Sequence, residues 1–149
     1  MPDSALHIAA LQFSHGETPV LRDFSLSLKA GALHAVVGAN GSGKSTLLDL
    51  AAGYRCPASG EIRLNGTPVQ TLGPREQALR LAYMPQDERS GFAYTVRETV
   101  MMGRHPHIPR FSAPDEEDRR AVENALAALD LTDLADRPAT DLSGGERQR

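Results

Sequence analysis

Apolar and polar residues alternate over much of the first 30 positions. The alternation runs through residues 6–13 and again through residues 20–28, and a short segment with Gly16 and Pro19 separates the two runs. Such alternation places the apolar side chains on one face of a strand, and glycine and proline are typical of the turns between strands. The pattern therefore predicts two half-buried strands that pair antiparallel.

A different pattern follows at residues 33–37, where a short and mostly apolar run ends at Gly38. Such a run is typical of a strand covered on both faces in a parallel sheet. The next segment predicts a helix that begins at about Lys44 and is closed by a left-handed Gly53. The helix residues expected to face the sheet are Leu47, Leu48, Leu50 and Ala51.

Past this helix the chain changes from mixed to helical character. The remaining predicted elements are strands at residues 61–66 and 81–84, a proline-opened helix at 74–80, and helices at 95–102 and 115–131. The first of these strands ends in an Asn-Gly pair, which is typical of a hairpin turn. Because the helical periodicity dominates beyond Gln86, we expect a boundary there.

An acidic run opens the longest of these helices. We expect Ser112 to cap it, Pro114 to occupy its first turn, and the carboxylates of residues 115–118 to lie at the positive end of its dipole. The alternative is a cation site. This alternative is weaker, because consecutive carboxylates on a helix point in different directions.

Composition limits the class of protein. The chain has 149 residues, of which 40% are hydrophobic and 23% charged, as in an ordinary globular domain. No run reaches the roughly 18 apolar residues of a membrane span, and the N-terminus lacks the basic and apolar regions of a secretory signal. We therefore expect a cytoplasmic protein.

The sequence offers few residues suited to a metal site or to binding nucleic acid. The single cysteine, Cys56, excludes an intrachain disulfide, and we expect it to be buried because free cysteine is among the most buried residue types. The five histidines show no metal-ligand spacing. A net charge of −3 argues against a nucleic-acid partner.

A phosphate-binding pattern lies between the apolar run and the helix. The pattern is GxxxxGK[ST], and its residues with the next one are Gly38, Ala39, Asn40, Gly41, Ser42, Gly43, Lys44, Ser45 and Thr46. Backbone N–H groups of such a loop cradle phosphates, the helix N-terminus attracts the negative charge, the lysine reaches the terminal phosphates, and Ser45 can bind Mg2+. The chain is therefore expected to bind a polyphosphate with Mg2+. A flexible turn and a dinucleotide-binding loop are the weaker alternatives.

A second motif, LSGGERQR, occupies residues 142–149. Ser143 and Glu146 form a capping-box pattern, which does not explain Gly144 and Gly145, since paired glycines weaken a helix. The two motifs together resemble those of the ABC ATPase family. The resemblance implies that Ser143, Gly144 and Gly145 contact the γ-phosphate of ATP held by an opposing subunit, and hence a dimer.

The resemblance implies further roles. Gln86 is similar to the glutamine that senses Mg2+ and the γ-phosphate, so Ser45 and Gln86 are the expected metal ligands. His15 stands where the family commonly has an aromatic residue stacked on adenine, and an imidazole offers a smaller face. Residues 95–107 are similar to the corresponding stretch in the ATPases of iron-siderophore, haem and cobalamin importers, although a buried amphipathic helix explains the apolar positions equally well. Permease subunits, and indirectly a substrate-binding protein, are the implied partners, at the inner face of the cell membrane.

The implied fold is α/β, a P-loop NTPase of the ABC ATPase type that is incomplete, with an N-terminal antiparallel β part and a helical subdomain. We expect a nucleotide-binding core at residues 1–86, a helical subdomain at 87–141 and the signature motif at 142–149. The family's sequence continues past this motif with its catalytic residues, including the general base, so the chain as given is expected to bind ATP without efficient hydrolysis. The alternatives are ABC-type ATPases of DNA repair or of the ribosome.

Overall fold

The computed structural model describes residues 4–85 and 93–149. The chain divides into two compact units, Met1–Tyr83 and Met84–Arg149. The strands are β1 (Ser4–His15), β2 (Thr18–Lys29), β3 (Ser59–Leu64) and β4 (Thr67–Pro68), and the α-helices are α1 (Lys44–Ala51), α2 (Pro74–Ala78), α3 (Val96–Met102), α4 (Glu116–Ala128) and α5 (Gly144–Gln148). Among these residues no helix is both long and apolar enough to cross a bilayer.

The first unit is built on one antiparallel sheet with the strand order β2-β1-β3-β4. The predicted pairing of the first two strands is confirmed, with Ile8 opposite Leu26 and His15 opposite Thr18 at the hairpin end. The predicted Asn-Gly turn is also present, because Asn65 and Gly66 both have positive φ and join β3 to β4.

Helix α1 packs on this sheet through one stripe of side chains. Leu47, Leu50 and Ala51 are buried, and the two leucines join the cluster formed by Ile8, Leu11 and Ile62. The prediction that Leu48 also faces the sheet is wrong, since its side chain is half exposed. Positions i, i+3 and i+4 share a helix face, and Leu48 falls outside that set. Gly53 has φ 74° at the end of the helix, as predicted.

The prediction that residues 33–37 form a buried parallel strand is wrong. These residues form an exposed, irregular segment, in which Leu33 is fully exposed and Val37 is 87% exposed. A strand forms only where a neighbouring strand supplies hydrogen bonds. No strand in the described part of the chain pairs with this run, and the sheet is antiparallel throughout.

Two further predictions for the first unit are wrong. Residues 81–84 are an irregular segment and not a strand, and the N–H of Leu81 donates to the carbonyl of Gln77 in the turn after α2. Cys56 is exposed rather than buried. It lies in the connection between α1 and β3, and connecting segments run over the protein surface.

The second unit is helical, with a core of Val96, Val122, Leu126, Leu131 and Ala135. The two predicted helices are present as α3 and α4.

The predicted capping of α4 by Ser112 is wrong, and Pro114 lies before the helix and not in its first turn. Asp115 is the N-cap, its side chain accepts from the N–H of Asp118, and the Asp118 carboxylate accepts from the N–H of Asp115. The acidic run is otherwise structural as expected, since Asp118 pairs with Arg104 over 2.8 Å. Hydrogen bonding from Arg104 lowers the pKa of Asp118.

Candidate functional site: a glycine-rich loop on a helix N-terminus

The loop at residues 38–43 is shaped by two left-handed glycines. Gly41 has φ 79° and Gly43 has φ 88°, a region that other residues rarely adopt. Gly43 also lies against β2, where a Cβ at this position would come within 2.8 Å of Val20 Cγ1. The loop is therefore held against the sheet at the point where α1 begins.

The N-terminus of α1 carries no negative charge of its own. Gly43 is the N-cap, no side chain caps the helix, and its first turn contains no acidic residue. By contrast, the N-termini of α3, α4 and α5 each have a capping box with a carboxylate. The first N–H groups of a helix lack partners within it and carry positive partial charge. This end of α1 is thus suited to an anion.

Lys44 adds a full positive charge to this end. Its ammonium donates to the carbonyls of Gly38 (2.9 Å) and Ala39 (2.8 Å), so the side chain folds back along the loop. A lysine ammonium has three donors. These two bonds fix the charge beside the loop's backbone and leave one donor for an anion.

A divalent cation would find one oxygen ligand here. Ser45 is exposed next to Lys44, and its hydroxyl is the predicted Mg2+ ligand. The part of the chain that the structure describes holds no cluster of three or more His, Cys, Asp or Glu suited to a metal. Mg2+ in nucleotide sites usually keeps several water ligands and is held by few protein groups together with substrate phosphates. A single hydroxyl ligand from the protein is therefore compatible with Mg2+ that binds together with a phosphate. The second predicted ligand, Gln86, lies outside the described residues.

His15 reaches the same helix from β1. Its Nε2 lies 3.2 Å from the hydroxyl oxygen of Thr46, the last residue of the predicted phosphate loop. The imidazole also meets the ring of Phe13 edge to face, with 5.0 Å between centroids. The structure thus brings together two residues 31 positions apart that the sequence placed in one binding site.

Asp49 of α1 forms a polar cluster with Arg55 and Tyr83 that sequence reasoning missed. The Tyr83 hydroxyl donates to Asp49 Oδ1 over 2.7 Å, and Arg55 Nε donates to Asp49 Oδ2 over 2.9 Å. Both bonds, led by that of Tyr83, lower the pKa of Asp49, while the bond to Asp49 raises the pKa of Tyr83. No local pattern links these three residues, because Tyr83 is 34 positions from Asp49.

The second motif lies at the start of α5. The predicted capping box is present, since Ser143 N–H donates to Glu146 Oε2 (2.8 Å) and Ser143 Oγ accepts from Glu146 N–H (3.3 Å). A Cβ at Gly144 or Gly145 would meet nothing within 4 Å, and neither residue has positive φ. Among residues 4–85 and 93–149, neither packing nor backbone conformation therefore requires these two glycines.

Comparisons with known proteins agree with the two motifs. Residues 21–149 match the ABC transporter family. The chain is 42% identical over 144 residues to the hemin import ATP-binding protein HmuV of Pseudomonas entomophila, covering 97% of this chain and 55% of that protein. It is 40% identical over 144 residues to the cobalamin import ATP-binding protein BtuD of Halobacterium salinarum, covering 97% of this chain and 36% of that protein.

A solved structure supports the same relationship. A metal-chelate type ABC transporter in an inward-facing conformation superposes with a TM-score of 0.78 at 36% identity, covering 99% of this chain and 53% of that one. The likeness confirms the fold expected from the motifs. The chain spans about half the length, or less, of the relatives it matches.

Proposed function

The chain belongs to the ABC transporter family, and from this membership we propose that it is the ATP-binding part of an importer subunit, which holds the phosphates of ATP through residues 38–46. The observation that carries the proposal is the position of Lys44. Its ammonium lies on the loop carbonyls at an α1 N-terminus with no side-chain cap and no acidic residue in its first turn. Positive charge from the ammonium and from the backbone N–H groups therefore converges where a polyphosphate can dock.

Mg2+ is the proposed companion of the nucleotide. Ser45 would supply one hydroxyl ligand, with the remaining positions taken by phosphate oxygens, water and Gln86. The metal would neutralise charge on the phosphates. The absence of efficient hydrolysis by the 149-residue chain stays a prediction, to be checked by steady-state phosphate release.

A dimer is the proposed assembly. Gly144 and Gly145 are exposed, and no contact in the described part of the chain requires them. Bare backbone at the start of a helix allows close approach of a phosphate. We therefore propose that Ser143, Gly144 and Gly145 meet the nucleotide of a second subunit. Residues 87–141 form the proposed helical subdomain that docks on permease subunits at the inner face of the membrane.

The proposed cargo is an iron-siderophore, haem or cobalamin. Its support is the cargo for which the relatives are named, since these include hemin and cobalamin import proteins and the petrobactin import ATP-binding protein FpuD of Bacillus anthracis, 36% identical over 145 residues. The thiamine import protein ThiQ of Brucella suis, 39% identical over 145 residues, defines the competing cargo class. Uptake of labelled hemin, cobalamin and thiamine by cells carrying the cognate permease would separate the classes.

The decisive experiment measures ATP binding after Lys44→Ala. Hydrogen bonds to charged groups contribute about 1.5–3 kcal/mol each, so we expect affinity to fall roughly 10- to 100-fold. The matched control is Lys29→Ala, which removes the chain's other lysine at the end of β2. Displacement of a fluorescent ATP analogue gives both affinities. Equal affinities in the two variants would overturn the proposed function.

A further inference from the structure

The hydroxyl of Thr46 lies where a bound phosphate would meet the first turn of α1. Thr46 is the third residue of the helix, so its side chain accompanies the N–H groups that lack partners within the helix. His15 Nε2 is 3.2 Å from this hydroxyl. An imidazole tip is therefore in hydrogen-bond contact with the phosphate end of the site.

Phe13 packs against the imidazole, and Arg55 in turn lies over Phe13. The ring of Phe13, two residues earlier on β1, meets it at an interplanar angle of 87°, the edge-to-face arrangement that aromatic rings prefer. The guanidinium of Arg55 lies 6.0 Å from the centre of the Phe13 ring, and Arg55 is itself paired with Asp49 of α1. The imidazole thus presents its edge, through Nε2, to Thr46.

The donor and acceptor roles of this contact decide what Thr46 can do. A threonine hydroxyl has one hydrogen to donate and two lone pairs. When Nε2 carries a proton it donates to the Thr46 oxygen, and the Thr46 O–H remains available to a phosphate. When Nε2 is the unprotonated nitrogen of the neutral ring, it accepts a hydrogen bond from the Thr46 hydroxyl. That hydroxyl hydrogen is then not available to a phosphate.

We propose that His15 serves the phosphates of the nucleotide, by donating to Thr46 so that the Thr46 hydroxyl points at a phosphate oxygen. The inference rests on the proposed function, because it requires a polyphosphate at residues 38–46. This inference differs from the expectation that His15 stacks on adenine, because it places the action of the imidazole at the phosphates and not at the base.

The test compares ATP with inorganic tripolyphosphate, which has no base. Both probes compete against a fluorescent ATP analogue on the 149-residue chain. His15→Phe keeps a flat ring and removes both nitrogens, His15→Gln keeps a side-chain N–H donor, and Thr46→Val removes the hydroxyl with little change of shape. His105→Phe, at an exposed histidine of the second unit, is the control. Circular dichroism verifies that each variant is folded.

We expect His15→Phe to weaken both probes by a similar factor, about three- to tenfold, and His15→Gln to retain most of the affinity. In the Thr46→Val background, His15→Phe should cause no further loss. Weaker ATP binding with unchanged tripolyphosphate binding would show a role at the base and overturn the inference. Independent, multiplying effects of His15→Phe and Thr46→Val would overturn it as well.

The two proposals fail in different ways. If Lys44→Ala abolishes binding and His15→Phe leaves tripolyphosphate unchanged, the phosphate site stands and only the role of His15 is refuted. If the unaltered chain binds neither probe, both proposals are refuted.

Discussion

Tyr83 donates its phenolic hydrogen to Asp49 over 2.7 Å, which ties the segment before Gln86 to the helix that follows the phosphate loop. The carboxylate accepts a second bond from Arg55 on its other oxygen. Two donors from outside the helix therefore share one acidic residue of α1. The cluster therefore joins α1 and the connection just after it to Tyr83, which is 34 positions from Asp49.

Replacing Tyr83 with Phe should lower the free energy of unfolding by about 1 kcal/mol, the usual net contribution of a hydrogen bond. The ring and its contact with Tyr54 remain, so packing changes little. Urea denaturation near neutral pH gives the value. Tyr54→Phe is the control, because Tyr54 is 71% exposed. Equal stability of the two variants would refute the importance of this bond.

The stability difference between the parent chain and Tyr83→Phe should depend on pH. Asp49 has a pKa below its ordinary 3.8, so its contribution is present above that pH and is lost as the pH falls through the lower folded value. Tyr83 has a pKa above its ordinary 10.0, so its contribution is present below that pH and is lost as the pH rises through the higher folded value. Urea denaturation at several pH values should show the difference shrinking at both ends. A constant difference would contradict the cause assigned to these shifts.

Gly43→Ala should destabilise the first unit and weaken nucleotide binding together. The left-handed conformation costs an ordinary residue about 1–2 kcal/mol, and the new Cβ would also press on Val20. Gly31→Ala is a matched control, since Gly31 has φ 70° with nothing within 4 Å of its Cβ position. Thermal unfolding should place Gly43→Ala well below Gly31→Ala. A similar melting temperature for both would mean that the approach to Val20 has little effect.

Asp115→Ala should cost about 1 kcal/mol through loss of the N-cap of α4. Ser112→Ala should leave stability nearly unchanged, because Asp115 forms the capping box. Denaturant unfolding of both variants distinguishes the cap in the structure from the cap expected from sequence. A larger effect of Ser112→Ala would reverse the assignment.

The features of the fold that could be predicted from the sequence are those set by residues close together in the chain. Alternation defined the first two strands, the Asn-Gly pair defined the turn after β3, and the order of Gly43, Lys44 and Ser45 defined the loop-to-helix junction. Each of these features depends on residues within a few positions of one another. The capping box at Ser143 is of the same kind, since its two side chains lie three positions apart.

Features that depend on distant neighbours could not be predicted. The apolar run at residues 33–37 has the composition of a buried strand, yet composition does not supply the neighbouring strand that its backbone needs. The Asp49–Tyr83 bond joins residues that no periodicity connects. Burial of Cys56 was inferred from residue type alone, whereas its position in a connecting segment decides its exposure.

The bonds from Lys44 to the carbonyls of Gly38 and Ala39 affect how any measured affinity should be interpreted. An incoming polyphosphate that draws the ammonium away exchanges existing contacts for new ones, so the lysine contributes a difference between two bonded arrangements. A variant without the ammonium also loses a brace on the loop itself. Part of the weaker affinity of that variant would then come from a less ordered loop. A small amine added to the solution would restore the positive charge but not the conformation of the loop.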